Sequence, residues 1–476
     1  MKKIFISSLA MASLLLTVGC KTDFDTDVRD VAVTKGEAVF TTYVALGNSL
    51  TSGFRDNALY ADGQTESYPN IIAGQMKLAG GGAFKQPMIP NNIGGFSDKT
   101  GYPGKLTLQI INGSLAPVAS AAAAALDDIS SGVPYQNLGV PGAKSFHLGI
   151  GGYGALNPYY SRFAKTAMSS PIKDAVDQSP TFFSLWIGNN DVLSYATSGG
   201  VGIDQSAAGN TNPLSYGYYD ITHPAVYENT IKSYLTQLTA GGAKGVIANI
   251  PSVTSIPFFT TVPPMPITGL TTTQAAQLNA AYAQYNKALE NFKSTIGEAE
   301  YQKRLIKFTA GAVANGAVIV DKDLDNKGLP LPKYRQTTAK DFILLSTSSA
   351  LKAGGGTATQ LTDAQVLTEV EAGRVASAVA AYNVSLKSLA SQFKLAFVDA
   401  NAKMVELSSA SGIQFDGVKY SAAFVTGGSF SLDGVHLTGR GYAVIANEFI
   451  KAINAQYKST LPQVNPNSYS GVTFPK

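Results

Sequence analysis

The sequence predicts an α/β fold built on a mainly parallel, doubly wound sheet. Two observations lead to this prediction: apolar segments of strand length recur along the chain, and amphipathic helical patterns lie between them. The apolar segments are continuous rather than alternating, which is typical of strands covered on both faces. The order strand, helix, strand then implies right-handed crossovers between parallel strands.

Four segments have the composition of buried strands. They are continuously apolar or rich in β-branched and aromatic residues, and they span residues 39–46, 181–187, 245–250 and 395–398. Apolar residues at three- and four-residue intervals predict helices over residues 225–238, 372–393 and 442–453. The alanine run at 121–125 is expected to form a helix of small residues.

The composition excludes several classes of function. Lys plus Arg number 36 and Asp plus Glu number 32, and this net charge of +4 provides no strong basic field for nucleic acid. One cysteine excludes an internal disulfide, a CxxC redox pair and a Cys-based zinc site. No P-loop motif occurs, and no G-x-G-x-x-G turn follows one of the predicted strands, as a dinucleotide site requires. We therefore expect no cofactor and no nucleic-acid partner.

The N-terminus has the features of an export signal. Lys2 and Lys3 precede an apolar run that is too short to span a bilayer comfortably. The run ends in Gly19-Cys20, which resembles the lipobox of bacterial lipoproteins. This resemblance implies cleavage before Cys20 and lipidation of its new N-terminus, so that Cys20 anchors the protein to a membrane. An ordinary signal peptide that contains a cysteine is the alternative.

The segment after Cys20 is acidic and poor in apolar residues, with carboxylates at Asp23, Asp25, Asp27 and Asp30. It predicts a solvated tether and is similar to the signal that sends Bacteroidetes-type lipoproteins to the cell surface. The expected organisation is a signal peptide over 1–19, a flexible tether over 20–38 and one domain over 39–476. The expected location is the cell envelope, with the protein lipid-anchored in the outer membrane and the membrane face left open.

Four short blocks place polar groups where strands end or a helix begins. In the first, Gly47 permits a sharp turn that would expose Ser49 beyond the first strand. In the second, Gly142 could aim its backbone N–H at a ligand because no side chain intervenes. In the third, Asn190 follows the aromatic strand, and its amide could donate a hydrogen bond to a developing oxyanion.

The fourth block pairs a carboxylate with an imidazole. Asp433 and His436 stand three residues apart, within mutual reach, at the start of the last helical segment. A carboxylate in this position fixes the tautomer of the imidazole and stabilises its charged form. Each block alone is ordinary turn or capping chemistry, but the four together and in this order are much less expected by chance.

At these blocks the chain resembles the SGNH (GDSL-type) esterases and lipases, through Gly47-Asn48-Ser49-Leu50, Gly142, Asn190 and Asp433-x-x-His436. The resemblance implies a three-layer αβα sandwich with a mainly parallel, flavodoxin-like sheet and long insertions at about 55–130 and 255–370. It also implies Ser49 as nucleophile, His436 as base and Asp433 as its orienting partner. The implied oxyanion donors are the backbone N–H groups of Ser49 and Gly142 and the side-chain amide of Asn190.

Two positions depart from the family pattern. Asn48 stands where the family usually has Asp, which affects local hydrogen bonding more than the class of reaction. Ala143-Lys144 stand where a polar residue and Thr are common, which leaves the support of the Gly142 loop undefined. The G-x-S-x-G elbow of the other large serine hydrolase fold is absent at Ser49.

The expected function is a membrane-anchored serine esterase or lipase that hydrolyses carboxylic esters of lipids or acylated glycans through an acyl-enzyme on Ser49. The alternative is a catalytically silent surface lipoprotein that binds lipid or glycan for a transporter. The insertions are expected to decide the substrate. The oligomeric state stays open.

Three weaker candidates remain in the sequence. His147 lies in a glycine-rich loop and either lines the cleft or is a plain loop residue, while His223 precedes a helix as a surface or capping residue. Asp321, Asp323 and Asp325 alternate as in a calcium loop, but Asn326 and Pro332 replace its required Gly and Glu. We therefore predict no metal site, with calcium at these aspartates left open.

Overall fold

In the computed structural model, which describes residues 32–475, five parallel strands form the central sheet. These strands are β1 (Tyr43–Gly47), β2 (Asn137–Gly139), β3 (Phe182–Trp186), β4 (Lys244–Ala248) and β5 (Ala396–Val398). Their order across the sheet is β2-β1-β3-β4-β5, the flavodoxin-like order of a doubly wound sheet. The predicted parallel sheet is confirmed.

Helices cover both faces of the sheet. The helices that bear on the site or the core are α1 (Ser49–Ser52), α2 (Tyr68–Leu78), α3 (Asn190–Thr197), α4 (Pro224–Thr239), α5 (Glu369–Gln392), α6 (Ala400–Ser408) and α7 (Gly439–Tyr457). Val44 and Leu46 of β1 share a buried cluster with α3, α4 and α5, whereas Tyr43 and Ala45 pack with α2 and α7. This alternation produces the three αβα layers that the family resemblance implied.

The helix α2 belongs to the core although it lies within the range 55–130 predicted as an insertion. Its Tyr68 ring stacks on Phe449 of α7 at 4.7 Å and meets Trp186 of β3 edge-on at 5.5 Å between centroids. Each such aromatic pair stabilises the fold by about 0.5–1.5 kcal/mol beyond the effect of burying its apolar surface. The helix therefore forms part of the crossover from β1 to β2.

Capping side chains set where the predicted helices begin. His223 accepts the Ala225 N–H through its ring at 3.1 Å, and Pro224 follows as the first helical residue of α4. Thr368 and Glu371 form a capping box that begins α5 three residues before the predicted boundary. His223 thus has the capping role expected for it.

The rest of the chain forms shorter elements. The other helices are Ala61–Thr65, Pro158–Ser161, Pro171–Val176, Pro257–Thr260, Thr272–Ala281, Ala283–Asn291, Lys293–Ile296, Glu298–Arg304 and Ser348–Lys352. Antiparallel pairs are formed by Leu106–Ile111 with Ser114–Ala119, Val318–Val320 with Tyr334–Gln336, Phe342–Ile343 with Val366–Leu367, and Ile413–Phe415 with Val418–Tyr420. The region 255–370 has small apolar clusters of its own. Within residues 32–475 no helix is long and apolar enough to cross a membrane.

The predicted helix over 121–125 is wrong. The segment is irregular, and its backbone is hydrogen-bonded to a neighbouring loop through Ala123 N–H to Gly94 and Ser97 N–H to Ala124. A short alanine run pays the full cost of helix nucleation without an apolar face to bury. The segment therefore adopts the irregular conformation that its hydrogen bonds with the loop stabilise.

Packing starts before residue 39, where the sequence placed the end of the tether. Thr34 donates its N–H to Thr460 Oγ1 at 2.8 Å, and the side chain of Ala38 is 1% exposed. Phe40 is also 1% exposed and meets Phe182 of β3 edge-on at 5.1 Å. The predicted signal peptide, Cys20 and most of the tether lie outside the residues that the structure describes.

We predict that Phe40→Ala lowers the free energy of unfolding by about 3–5 kcal/mol, because it leaves a cavity against β3. Urea unfolding of the two proteins measures the difference. Val39→Ala, at a neighbouring side chain that is 39% exposed, should change stability little. Equal stability of Phe40→Ala and the wild type would show that this segment adds nothing to the domain.

Candidate active site

The end of β1 presents a serine in a turn that only glycine permits. A Cβ at Gly47 would lie 2.1 Å from Thr51 Oγ1 and 2.4 Å from the Trp186 carbonyl oxygen. Ser49 is the first residue of α1 and is 6% exposed, so it is more buried than the sequence predicted. Asn48 caps this helix, because its Oδ1 accepts the Leu50 N–H at 3.0 Å. Its Nδ2 also donates to Asn189 Oδ1 at 3.4 Å, a bond that the usual Asp could not make.

Ser49, His436 and Asp433 form a continuous chain of hydrogen bonds. His436 Nε2 lies 2.9 Å from Ser49 Oγ, and His436 Nδ1 lies 2.8 Å from Asp433 Oδ2. The carboxylate accepts the Nδ1 proton, which leaves Nε2 free to accept the proton of the serine. Phe54 packs on the imidazole at 4.7 Å between ring centroids and restricts its rotation. The structure brings together the three residues that the sequence predicted.

Backbone donors hold the Asp433 carboxylate in its charged form. Its Oδ1 accepts the N–H groups of Val435 and His436, each at 2.8 Å, and its Oδ2 accepts the Asn57 N–H at 2.9 Å. Burial would raise the pKa of Asp433, but the charge and hydrogen bond of His436 and these donors outweigh it. The pKa of Asp433 is therefore held well below its usual range, and the carboxylate stays ionised beside His436.

Gly142 follows β2 in a conformation that L side chains rarely adopt. Its φ is +80°, and a Cβ there would meet no atom within 4 Å, so this face of the residue is open. Asn190 begins α3, and its Nδ2 donates to the Ala143 carbonyl at 3.0 Å. That bond orients the amide with its nitrogen toward the Gly142 loop and leaves the second N–H available.

A buried carboxylate supports the loop that carries Gly142. Asp191, next to Asn190, accepts the backbone N–H of Ser145 at 2.8 Å and the Ser145 hydroxyl at 2.6 Å. Lys144 is 1% exposed and donates to the Asp220 carbonyl at 2.6 Å. Burial raises the pKa of Asp191, opposed by the Ser145 hydrogen bonds and the Lys144 charge. Lys144 and Ser145 thus provide the support that the sequence left undefined.

One open cleft of about 740 Å³ joins these groups. Its lining includes Ser49, Gly142, Asn190, Asp433 and His436. Ser49, Gly142 and Asn190 therefore border the same space beside the serine hydroxyl. Donors arranged in this way can stabilise an oxyanion that forms on Ser49.

His147 also lines this cleft, as one of its two sequence interpretations expected. Its Nδ1 accepts the Lys144 N–H at 3.1 Å, so its remaining ring proton is on Nε2. Burial and the Lys144 charge lower the pKa of His147 to about 4. The imidazole is therefore neutral at neutral pH and can act as a hydrogen-bond donor.

Sequence reasoning missed the contacts that position the loop of Asp433. Asp56 accepts the Leu432 N–H at 3.0 Å and donates its own N–H to Ser431 Oγ at 2.9 Å. Asn57 donates to Asp433 across 376 positions of sequence. No local pattern signals such distant pairs. Asp191 was visible beside Asn190, but only the structure supplies its partner Ser145.

The three alternating aspartates have separate partners. Asp321 pairs with Arg335 at 2.6 Å, Asp323 with Arg374 at 3.0 Å and Asp325 with Lys327 at 2.6 Å. Within residues 32–475 no group of three or more His, Cys, Asp or Glu side chains could hold a metal ion.

Comparisons with known proteins give low similarities. No protein-family model matches the chain, and no curated protein matches its sequence. An α/β hydrolase from the metagenome of Lake Arreo, Spain, is 10% identical with a TM-score of 0.33, over 88% of this chain and 97% of that one. A catalytic mutant of an acetylxylan esterase from Geobacillus stearothermophilus is 10% identical with a TM-score of 0.31, over 87% and 95%. An extracellular lipase from Streptomyces rimosus is 11% identical with a TM-score of 0.27, over 87% and 99%. Because these TM-scores are low, the function rests on the geometry of the site.

We predict that Ser145→Ala lowers the free energy of unfolding by about 1–3 kcal/mol, because it leaves the buried Asp191 with one donor fewer. Denaturant unfolding measures the change. Ser198→Ala is the matched control, since the Ser198 hydroxyl donates only to the Tyr195 carbonyl at the end of its own helix. If the two substitutions cost the same, the link from Asp191 to Ser145 has no special part in holding the Gly142 loop.

Proposed function

We propose that the protein is a serine ester hydrolase of the SGNH (GDSL) type. The observation that carries this proposal is the hydrogen-bond chain from Asp433 through His436 to Ser49, in a cleft that also contains the Gly142 backbone and the Asn190 amide. The distances of 2.8 and 2.9 Å are within the range needed for proton transfer.

The first half of the reaction acylates the serine. A serine hydroxyl is a weak nucleophile at neutral pH, so His436 Nε2 takes its proton while Ser49 Oγ attacks the ester carbonyl. The carbonyl oxygen becomes an oxyanion bound by the N–H groups of Ser49 and Gly142 and by the Asn190 amide. When the intermediate collapses, the C–O bond to the alcohol breaks, and His436 returns the proton to the leaving oxygen.

The second half releases the acid. Water enters the position that the alcohol has left, His436 takes one of its protons, and the hydroxide attacks the acyl-serine carbonyl. Collapse of this second intermediate returns the proton to Ser49 Oγ and frees the carboxylic acid. The Asp433 carboxylate stays ionised throughout and stabilises the imidazolium at both steps.

A binding lipoprotein without turnover is the other candidate. Such a protein would need neither an aligned serine, imidazole and carboxylate nor amide donors beside the serine. The complete set therefore favours the enzyme.

We also propose that Cys20 is lipidated and anchors the enzyme in the outer membrane of the cell envelope. The basis is the charged and apolar N-terminus that ends in Gly19-Cys20. The proposed substrates of the anchored enzyme are then of two classes, esters of lipids and esters of acylated glycans.

We predict that Cys20→Ala moves the protein from the membrane to the soluble fraction, because the acyl chains that hold it are lost. Fractionation of expressing cells, followed by immunoblotting, measures the distribution. Wild-type protein treated identically is the control. A variant that stays in the membrane fraction would rule out Cys20 as the anchor.

We predict that Asn190→Ala lowers kcat by about 10²–10³, since one oxyanion donor is lost while the nucleophile is retained. Initial rates with p-nitrophenyl acetate measure it, with Ser49→Ala as the background. Ser198→Ala is the matched control, since Ser198 directly follows α3, its hydroxyl donates only to the Tyr195 carbonyl, and it does not line the cleft. If Asn190→Ala keeps the wild-type kcat, the Asn190 amide is not a donor of the oxyanion hole.

A further inference from the structure

Two separate cavities meet at Ser49. Besides the open cleft, a pocket of about 100 Å³ reaches the serine from the side of β3 and α6. The two cavities share Ser49, Asn190, Leu193, Val435 and His436. Ser49 therefore lies on the boundary between them, with the proposed base beside it.

An ester has two substituents on its carbonyl carbon, and they diverge from the atom that the serine attacks. One is the acyl chain, and the other is the alkoxy group that leaves as the alcohol. With the carbonyl carbon at Ser49 Oγ, each substituent points into one of the two cavities. The lining of each cavity therefore decides which substituent it receives.

The pocket suits a hydrocarbon. Its walls away from the site are almost entirely apolar and include Trp186, Val253, Ile256, Met404, Leu407 and Ile445. Lys403 at its edge is paired with Glu406 and Glu448. Ser429 contributes one buried hydroxyl that has no hydrogen-bond partner within residues 32–475. One hydroxyl cannot satisfy an alcohol with several hydroxyl groups, whose burial without partners is costly.

The size of the pocket limits the chain that it holds. An apolar cavity of about 150 Å³ accommodates benzene, with six carbon atoms. By that comparison a pocket of about 100 Å³ holds about four carbon atoms. It therefore fits an acetyl to butanoyl group better than a long fatty-acyl chain.

The cleft has the opposite character. It is several times larger and is lined by eight aromatic side chains, Phe54, Tyr102, Phe146, Tyr153, Tyr159, Tyr216, Tyr218 and Phe258. Tyrosine presents an apolar ring face and a polar hydroxyl in one side chain. The hydroxyls of Tyr102, Tyr159 and Tyr218 have no hydrogen-bond partner among the described residues. A sugar ring, with its apolar C–H faces and several hydroxyl groups, matches this lining.

We infer, on the basis of the proposed esterase activity, that the substrate is a short-chain acyl ester of a carbohydrate. The acyl group occupies the apolar pocket beside α6, and the sugar occupies the tyrosine-lined cleft. The neutral His147 adds a hydrogen-bond donor on the sugar side.

The acyl side is tested with p-nitrophenyl acetate, butanoate and octanoate. The wild type should have its highest kcat/KM on acetate or butanoate. Leu407→Ala enlarges the pocket and should raise the octanoate-to-acetate ratio of kcat/KM by about tenfold or more. This is the change in kcat/KM expected when an apolar pocket gains room for one or more methylene groups. Ile256→Ala changes a different wall of the pocket and should raise the same ratio. It provides the test if Leu407→Ala folds poorly.

Val405→Ala is the matched control, because Val405 lies on the same helix as Leu407 and is 61% exposed. It should leave the chain-length profile unchanged. A wild-type optimum at octanoate, or unchanged ratios in both pocket variants, would overturn the assignment of the pocket. A folded wild type that hydrolyses none of the three esters would instead overturn the proposed function.

The sugar side is tested by comparing an acetylated methyl xyloside with ethyl acetate. Tyr218→Ala should raise KM for the sugar acetate about 2–10-fold more than KM for ethyl acetate, as expected for the loss of one aromatic contact. Tyr219→Ala is the matched control, because its ring lies 5.1 Å from that of Tyr218 but does not line the cleft. If Tyr218→Ala changes KM equally for both substrates, or for neither, the cleft does not bind the sugar.

Discussion

Three neighbouring strands of one parallel sheet, β2, β1 and β3, end at the same edge, and the loop after each carries one polar group of the site. The strand order reverses at β1, so the connections on its two sides run in opposite directions and leave a crevice. Ser49 lies in this crevice, with Gly142 on one side and Asn190 on the other. The convergence of residues from distant positions in the sequence follows from this topology.

Buried polar bonds then fix loops that the strands alone would leave free. Asp191 holds the loop of Gly142 through Ser145, and Asp56 and Asn57 hold the loop of Asp433. The second insertion reaches the same loop, because Phe258 donates its N–H to the Gly434 carbonyl at 2.9 Å. The second insertion and the loop of Asp433 are thus tied together, so a change in one is expected to affect the other.

The sequence was informative where local pattern and chemistry coincide. The long apolar strands and periodic helices were recognisable, as was Asp433 three residues before His436, because neighbouring residues determine these features. The strand β2, of three residues, is too short to produce an apolar run. The support of Gly142 by Asp191 depends on partners 46 positions apart. The two cavities beside Ser49 are assembled from many distant segments, so their shapes could not be predicted from any one of them.

Labelling with a fluorophosphonate probe, followed by peptide mass spectrometry, tests most directly whether Ser49 is an activated nucleophile. One adduct on Ser49 is expected, formed much more slowly in His436→Ala because the serine loses its base. The hydroxyl of Ser52, which donates to the Ser49 carbonyl at 2.9 Å, is an internal control and should remain unmodified. An adduct on another serine, or none in the folded wild type, would contradict a catalytic role for the chain of hydrogen bonds that ends at Ser49.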